Sequence, residues 1–170
     1  TPEQWAVPTA CAGWSVKDVA LHLLGGDLSN LSRRRDDVAN ALAAYAPPGA
    51  DFGDTPTLVA ALNRWNEDWV VATRRLSGRV LCDLLAATLP QTHAYYRALA
   101  PLAIGGPIGW AGPDPAPVWL DIAREYTEHW AHHAQIRDAL GAPSSPIQTQ
   151  RLYGPVLAAY MHALPHTLRD

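Results

Sequence analysis

The stretch VWLDIAREYTEHWAHHAQIRDALG, residues 118–141, decides the fold class. Its apolar residues recur at helical spacing, which predicts one long amphipathic helix. The stripe expected to be buried consists of Val118, Ile122, Ile136 and Leu140. Gly141 comes next as a helix C-cap and Pro143 follows it, so the helix should end at Leu140. A helix of this kind needs partner elements to cover its apolar face.

Comparable helical patterns lie on both sides of this stretch, with turn residues between them. Helices are predicted over residues 15–45, 55–76, 80–99 (kinked near Pro90) and 147–163. Residues 100–117 are rich in proline and glycine and are predicted to form a long loop, a type of segment that often carries function. No strand-like alternation of convincing length occurs, so the predicted class is an all-α helical bundle.

Charge and cysteine content argue against several classes of function. The 170-residue chain has a net charge of −3, which gives no support to a nucleic-acid or anionic-membrane partner. Its one basic run, residues 33–35, is followed at once by Asp36 and Asp37 and is interpreted as a solvated helix face. Cys11 and Cys82 are too few for a disulfide framework. Both are predicted to be free thiols, with Cys82 buried in the core, in a reducing, cytoplasmic compartment.

The helix over 118–140 carries two Glu/His pairs at four-residue spacing, Glu125 with His129 and Glu128 with His132. Side chains four apart share a helix face, so either pair could give a divalent metal one oxygen and one nitrogen ligand. Periodicity favours the first pair, because it lies near the centre of the apolar stripe, where a buried charge needs a partner. A plain surface pairing is the alternative for both.

A third ligand would have to come from another helix, because such metals take at least three protein groups. His22 is the candidate, since it lies beside Val19 and Leu23 on the predicted first helix. Gly26, one turn further on, would leave space for a bound group on the same face.

Two blocks of the sequence carry a family resemblance: WAVPTACAGWSVKDVALHLL at residues 5–24 and EHWAHHAQIRDALG at residues 128–141. Together they resemble the N-terminal domain of the mycothiol-dependent maleylpyruvate isomerase family, which belongs to the wider DinB-like group. The first block matches through Trp5, Pro8, Thr9, Cys11, Gly13, Trp14, Ser15, Val16, Asp18, His22 and Leu23. The second matches through Glu128, His132, Gln135, Ile136, Ala139, Leu140 and Gly141, with Gln135 where the family usually has Asp.

The resemblance implies a DinB-like four-helix bundle with an additional short C-terminal helix, spanning residues 1–165. Residues 166–170 would begin a possible further C-terminal domain. The implied metal ligands are His22, Glu128 and His132, which selects the second Glu/His pair over the Glu125/His129 alternative. Gln135 would orient His132.

The implied activity is that of a zinc-dependent isomerase or S-transferase. In it, mycothiol or a similar thiol attacks a small electrophilic substrate. Two other functions stay open from the sequence: a metal- and thiol-binding carrier or sensor without chemistry, and a helical interaction domain with incidental histidines. The substrate, the oligomeric state and the choice of zinc over nickel, iron or manganese are not determined by the sequence.

Overall fold

A computed structural model describes residues 1–142 and 150–168 and confirms the all-α bundle. The helices are α1 (Pro2–Trp5), α2 (Val16–Asn30), α3 (Thr55–Thr73), α4 (Gly78–Ala98), α5 (Val118–Ala139) and α6 (Gln150–Thr167). α2 packs against α3, α4 and α5, and α6 packs against α5. The predicted start of the last helix at 147 lies outside the described residues. No helix in the described ranges is long and apolar enough to cross a membrane.

α2 begins where the sequence predicts. The Ser15 hydroxyl accepts a hydrogen bond from the Asp18 backbone N–H, and the Asp18 carboxylate accepts one from the Ser15 backbone N–H, which forms a capping box. Arg74, at the end of α3, donates from Nε to Asp18 Oδ1 over 2.9 Å. The start of α2 is therefore fixed to the end of α3.

The core lies between α2, α3 and α4 and contains Leu21, Leu24, Val70 and Leu81. Trp69 packs against this cluster and donates from its indole N–H to the Leu21 carbonyl over 2.8 Å. Its ring occupies the space beside Gly25, where an added Cβ would lie 2.5 Å from the indole nitrogen. Gly25 is therefore what allows α3 to approach α2 this closely.

The predicted first helix, 15–45, is wrong beyond Asn30. A π-helical segment, Leu31–Arg35, follows α2 directly, and Asp37 then adopts a left-handed φ of 59°, which an α-helix cannot contain. A 3-10 turn, Leu42–Tyr45, forms later as a separate element. Apolar residues continue at helical spacing beyond Asn30, so the sequence did not reveal that α2 ends there.

The predicted loop over 100–117 is also wrong. Two strands, β1 (Ile104–Ile108) and β2 (Gly112–Pro117), pair antiparallel as a hairpin. Its prolines hid the pattern, since proline removes a ladder donor and is tolerated only at sheet edges and bulges. The register is in fact irregular at two points. The Val118 and Trp119 backbone N–H groups bond to carbonyls just before β1, so the hairpin sits against the start of α5.

Two smaller expectations need correction. Cys82 is a free thiol as predicted but is exposed rather than in the core, because α4 turns Leu81, Thr88 and Thr92 inward instead. The predicted apolar stripe of α5 is only partly buried, and its fully buried residues are Leu120 and Glu125. α4 runs through Pro90 as one helix.

Candidate metal centre

Three side chains from two helices converge on one point. His22 comes from α2, and Glu128 and His132 come from successive turns of α5. One ligand atom from each lies within 4.8 Å of the others. Glu128 Oε2 is 3.4 Å from His132 Nε2 and 3.8 Å from His22 Nε2. Ligand atoms of a tetrahedral zinc site are about 3.4 Å apart, given bonds of about 2.0–2.1 Å, so these donors need only small movements to share an ion.

Electrostatics favour the ionised form of this carboxyl group. The adjacent imidazoles of His132, and then of His22, hold the pKa of Glu128 far below its ordinary value and outweigh the effect of burial. Glu128 is therefore a carboxylate at any physiological pH. The two imidazoles are mostly covered, with 16% and 13% of their side chains exposed, while 45% of Glu128 is exposed.

Gln135 is hydrogen-bonded to His132. Its side-chain oxygen lies 2.7 Å from His132 Nδ1, and because a carbonyl oxygen can only accept, Nδ1 must carry the proton. His132 Nε2 then faces Glu128 and is the nitrogen that a metal would take. The same oxygen accepts from the Cys11 thiol over 3.1 Å. The orienting role of Gln135 stays a prediction, and Cys11 is an additional partner that the sequence did not reveal.

The lead-in segment before α2 brings these partners to the site. Thr9 donates from its hydroxyl to the Trp14 carbonyl over 2.9 Å, and Gly13 supplies a left-handed φ of 80°. This compact loop carries Cys11 to Gln135 and places the Trp14 ring 5.2 Å from the ring of His22. The indole N–H of Trp14 donates to Glu67 on α3.

The alternative pair, Glu125 and His129, has other partners. Glu125 is buried, accepts from Asn30 Nδ2 over 2.8 Å and pairs with Arg124. His129 Nε2 lies 3.2 Å from Asp27 Oδ1. Periodicity was right that Glu125 is buried, but the charges of this pair are satisfied by side chains of α2 and α5.

The Asp27–His129 pair was missed by sequence reasoning. Asp27 is 2% exposed, and its second oxygen, Oδ2, has no hydrogen-bond partner among the described residues. Burial alone would lower the pKa of His129, but the hydrogen bond and negative charge of Asp27 outweigh it and raise that pKa. His22 and Asp27 are five residues apart, about 140° around an α-helix, so periodicity gave no signal that both face α5.

A cavity of about 670 Å³ opens beside the triad, and His22, Glu128 and the Asp27–His129 pair line it. Gly26 also lines it, and a Cβ added there would meet nothing within 4 Å, in line with the space predicted for a bound group. The hairpin contributes residues 107–110 to the lining. The site thus combines a three-donor cluster with room for a small molecule.

The basic run at 33–35 is not the solvated face that the sequence indicated. Arg33 and Arg34 line the cavity, and Arg34 forms a bidentate ion pair with Asp121 on α5. Arg35 alone is exposed, paired with Asp36. The π-helical segment turns the first two arginines inward, which a regular continuation of α2 would not have predicted.

Fold and site together define a class of helical-bundle proteins with a His, Glu, His cluster in the wall of a cavity. The chain belongs to the mycothiol maleylpyruvate isomerase N-terminal domain family, whose model matches residues 1–137. This confirms the resemblance seen in the sequence, and the family is part of the DinB-like superfamily.

Two uncharacterized proteins of Mycobacterium tuberculosis, from two strains, are each 32% identical over 144 residues. The alignment covers 82% of this chain and 48% of each relative. The chain thus spans about half the length of the curated relatives it matches. No solved structure matches it.

Proposed function

We propose that this domain is a zinc-dependent isomerase or S-transferase that uses mycothiol or a similar small thiol against a small electrophile. The observation that carries the proposal is the convergence of His22, Glu128 and His132 beside a cavity, in a chain of a mycothiol-related family. A cytoplasmic location, where such thiols stay reduced, is part of the proposal, as is a domain extending over residues 1–165.

The donor set fits the metal. Two imidazole nitrogens and one carboxylate oxygen are ligands that zinc accepts, and a three-residue set leaves a position open for a substrate. Glu128 places a carboxylate at this end of the cavity, which favours a cation there. When bound, zinc would supply the positive charge that lowers the pKa of a thiol and favours the thiolate.

The chain's own residues would position the reactants. Gln135 holds His132 with Nε2 facing the cluster, so no reorientation of the ring is needed on metal binding. The hairpin residues Ile108 and Trp110 line the cavity and would limit water around the reacting thiol. In an isomerase the thiol adds to the substrate and later leaves it; in a transferase it stays attached.

Metal analysis of purified variants tests the first half of the proposal. His22→Ala and Glu128→Ala should lose stoichiometric zinc. Glu125→Gln, the matched control with the same neutralised charge on the same helix, should keep it. Equal zinc content in all three variants would contradict the assignment and favour an interaction domain with incidental histidines.

Turnover tests the second half. Wild-type protein with zinc and mycothiol should consume monochlorobimane or maleylpyruvate faster than the thiol alone does, and His22→Ala should not. Tight thiol binding without any turnover would refute the enzyme and favour a carrier or sensor module.

A further inference from the structure

The last helix, α6, carries two apolar faces. One of them is buried, because α6 packs against α5 and turns Val156 and Ala159 inward. The hydroxyl of Tyr126 on α5 donates to the Leu152 carbonyl over 2.8 Å. These contacts establish which side of α6 faces the bundle.

The second apolar face of α6 is exposed to water. Six large apolar residues follow one another along α6 and directly after it, each between 39% and 74% exposed: Tyr153, Leu157, Tyr160, Met161, Leu164 and Leu168. At about 100° per residue they form a stripe about 100° wide, centred about 120° around the helix from the buried face. A surface helix ordinarily presents charged or polar residues on the side that faces away from the core.

This exposed stripe is unusually large for a monomer. At roughly 200 Å² for a fully exposed side chain of this size, the six residues leave about 600 Å² of apolar surface in water. The largest apolar patch on a typical monomer is about 300–600 Å² and often has a function. Residues 152–167 contain no Asp, Glu, Lys or Arg. A helix that lies on a membrane surface usually carries basic residues beside its apolar stripe, so the composition favours a protein partner.

The spacing of the stripe indicates a second copy of the same helix. Its successive members are four, three, one, three and four residues apart, so the pattern reads the same from either end. An antiparallel copy, related by a twofold axis between Tyr160 and Met161, would bring Leu157 level with Leu164 and would join the opposite ends of the stripe. Each apolar side chain would then meet an apolar side chain. A twofold interface requires this kind of self-complementarity.

The size and composition of the stripe also suit a dimer. Pairing would bury about 600 Å² on each copy from the stripe alone, and a standard interface buries about 800 Å² per partner with its polar rim included. No charged side chain of 152–167 would have to leave water, since that segment has none. Among the described residues, none from α6 lines the cavity beside the candidate metal centre, so pairing through α6 would leave that cavity open.

We propose that the exposed stripe of α6 is an interface at which two copies of this chain pair antiparallel about a twofold axis. The pairing is independent of the proposed function, because it uses neither the candidate ligands nor the cavity.

Sedimentation velocity over a range of micromolar concentrations tests the pairing, and wild type should be a dimer. Met161 is 63% exposed and lies beside the proposed axis, where it would face its own copy. Met161→Glu and Met161→Lys should therefore each raise the dissociation constant by about 100-fold or more through like-charge repulsion. An equimolar mixture of these two variants should form dimers again. Ala158→Glu is the matched control, because it adds the same charge at an exposed position of α6 outside the stripe, and it should stay dimeric.

Three results would overturn the proposal. They are a wild type that stays monomeric, a Met161→Glu variant as dimeric as Ala158→Glu, and a mixture of folded Met161→Glu and Met161→Lys that does not pair. Far-UV circular dichroism of each variant separates lost pairing from unfolding. Monomeric wild type that sediments with vesicles of phosphatidylcholine and phosphatidylglycerol would assign the stripe to a membrane surface instead.

Discussion

Gln135 Oε1 lies 2.7 Å from Nδ1 of His132, one turn away on the same helix. This contact determines which nitrogen of His132 carries the proton and which faces Glu128, 3.4 Å away. We therefore expect a residue outside the candidate ligand set to influence how well the cluster binds a metal. Partners of this kind typically change metal affinity by about 10- to 100-fold when removed.

Gln135→Leu should weaken zinc binding by about 10- to 100-fold, because His132 can then rotate and change tautomer. Gln135→Glu should retain or strengthen binding, since it still accepts from Nδ1. Cys11→Ala removes only the second donor to Gln135 and should have the smaller effect. Competition with a chromophoric chelator measures all three. An affinity for Gln135→Leu equal to that of wild type would show that the contact is incidental.

The sequence predicted the parts of the molecule where local chemistry and periodicity agree. The Ser15 cap, the extent of α5 and the Gly141 stop all follow from short-range rules, and Gly141 has the expected left-handed φ of 61°. The proximity of His22 to Glu128 joins residues that are far apart in the sequence. It was predicted from the family resemblance and not from periodicity. Apolar spacing in fact favoured the Glu125/His129 pair.

Other features could not be predicted from the sequence because they depend on contacts between residues that are far apart in the chain. The π-segment that turns Arg33 inward depends on the Arg34–Asp121 contact between distant parts of the chain. The hairpin depends on pairing of proline-rich strands supported by the start of α5. The partners of His129 became visible only when α2 and α5 were packed together.

Gly25→Ala should destabilise the fold. The new Cβ would lie 2.5–2.9 Å from three atoms of the Trp69 ring, and this ring cannot move away without losing its bond to the Leu21 carbonyl. Overpacking of this kind costs about 1–3 kcal/mol, measured as the free energy of unfolding in urea.

Gly26→Ala is the matched control, because a Cβ there meets nothing within 4 Å. The same substitution should be neutral or stabilising by up to about 1 kcal/mol from helix propensity. Equal stability changes at the two positions would show that Trp69 does not need the space beside Gly25.

Asp18→Asn should show how the α2 cap depends on pH. Burial alone would raise the pKa of Asp18, but hydrogen bonds from Arg74 and Ser15 outweigh it and lower that pKa below the ordinary value. As pH falls, the unfolded state therefore takes up the proton first, and the free energy of unfolding decreases. The stabilising contribution is present above the ordinary Asp pKa and is lost as pH falls through the folded one.

Urea unfolding from neutral to acidic pH measures this contribution. Asp18→Asn should be less stable than wild type by about 1–2 kcal/mol at pH 7, a figure kept low because Arg74 is 44% exposed. The difference should shrink in acid. Asp68→Asn, at an exposed position of α3, is the charge-matched control and should show little difference at either pH. A gap for Asp18→Asn that stays constant with pH would contradict the assigned role.

Trp110 should affect substrate binding without affecting the metal. It lines the cavity from the hairpin and is not among the three candidate ligands. Trp110→Ala should raise KM for the electrophile by about 10-fold, because an aromatic contact worth about 1 kcal/mol or more is lost, while zinc content stays the same. Trp119→Ala is the control, since that ring packs on His162 and not in the cavity. Steady-state kinetics with monochlorobimane and metal analysis of the same preparations separate the two effects. If Trp110→Ala lost zinc, or kept the wild-type KM, the hairpin would not be the substrate-facing wall of this site.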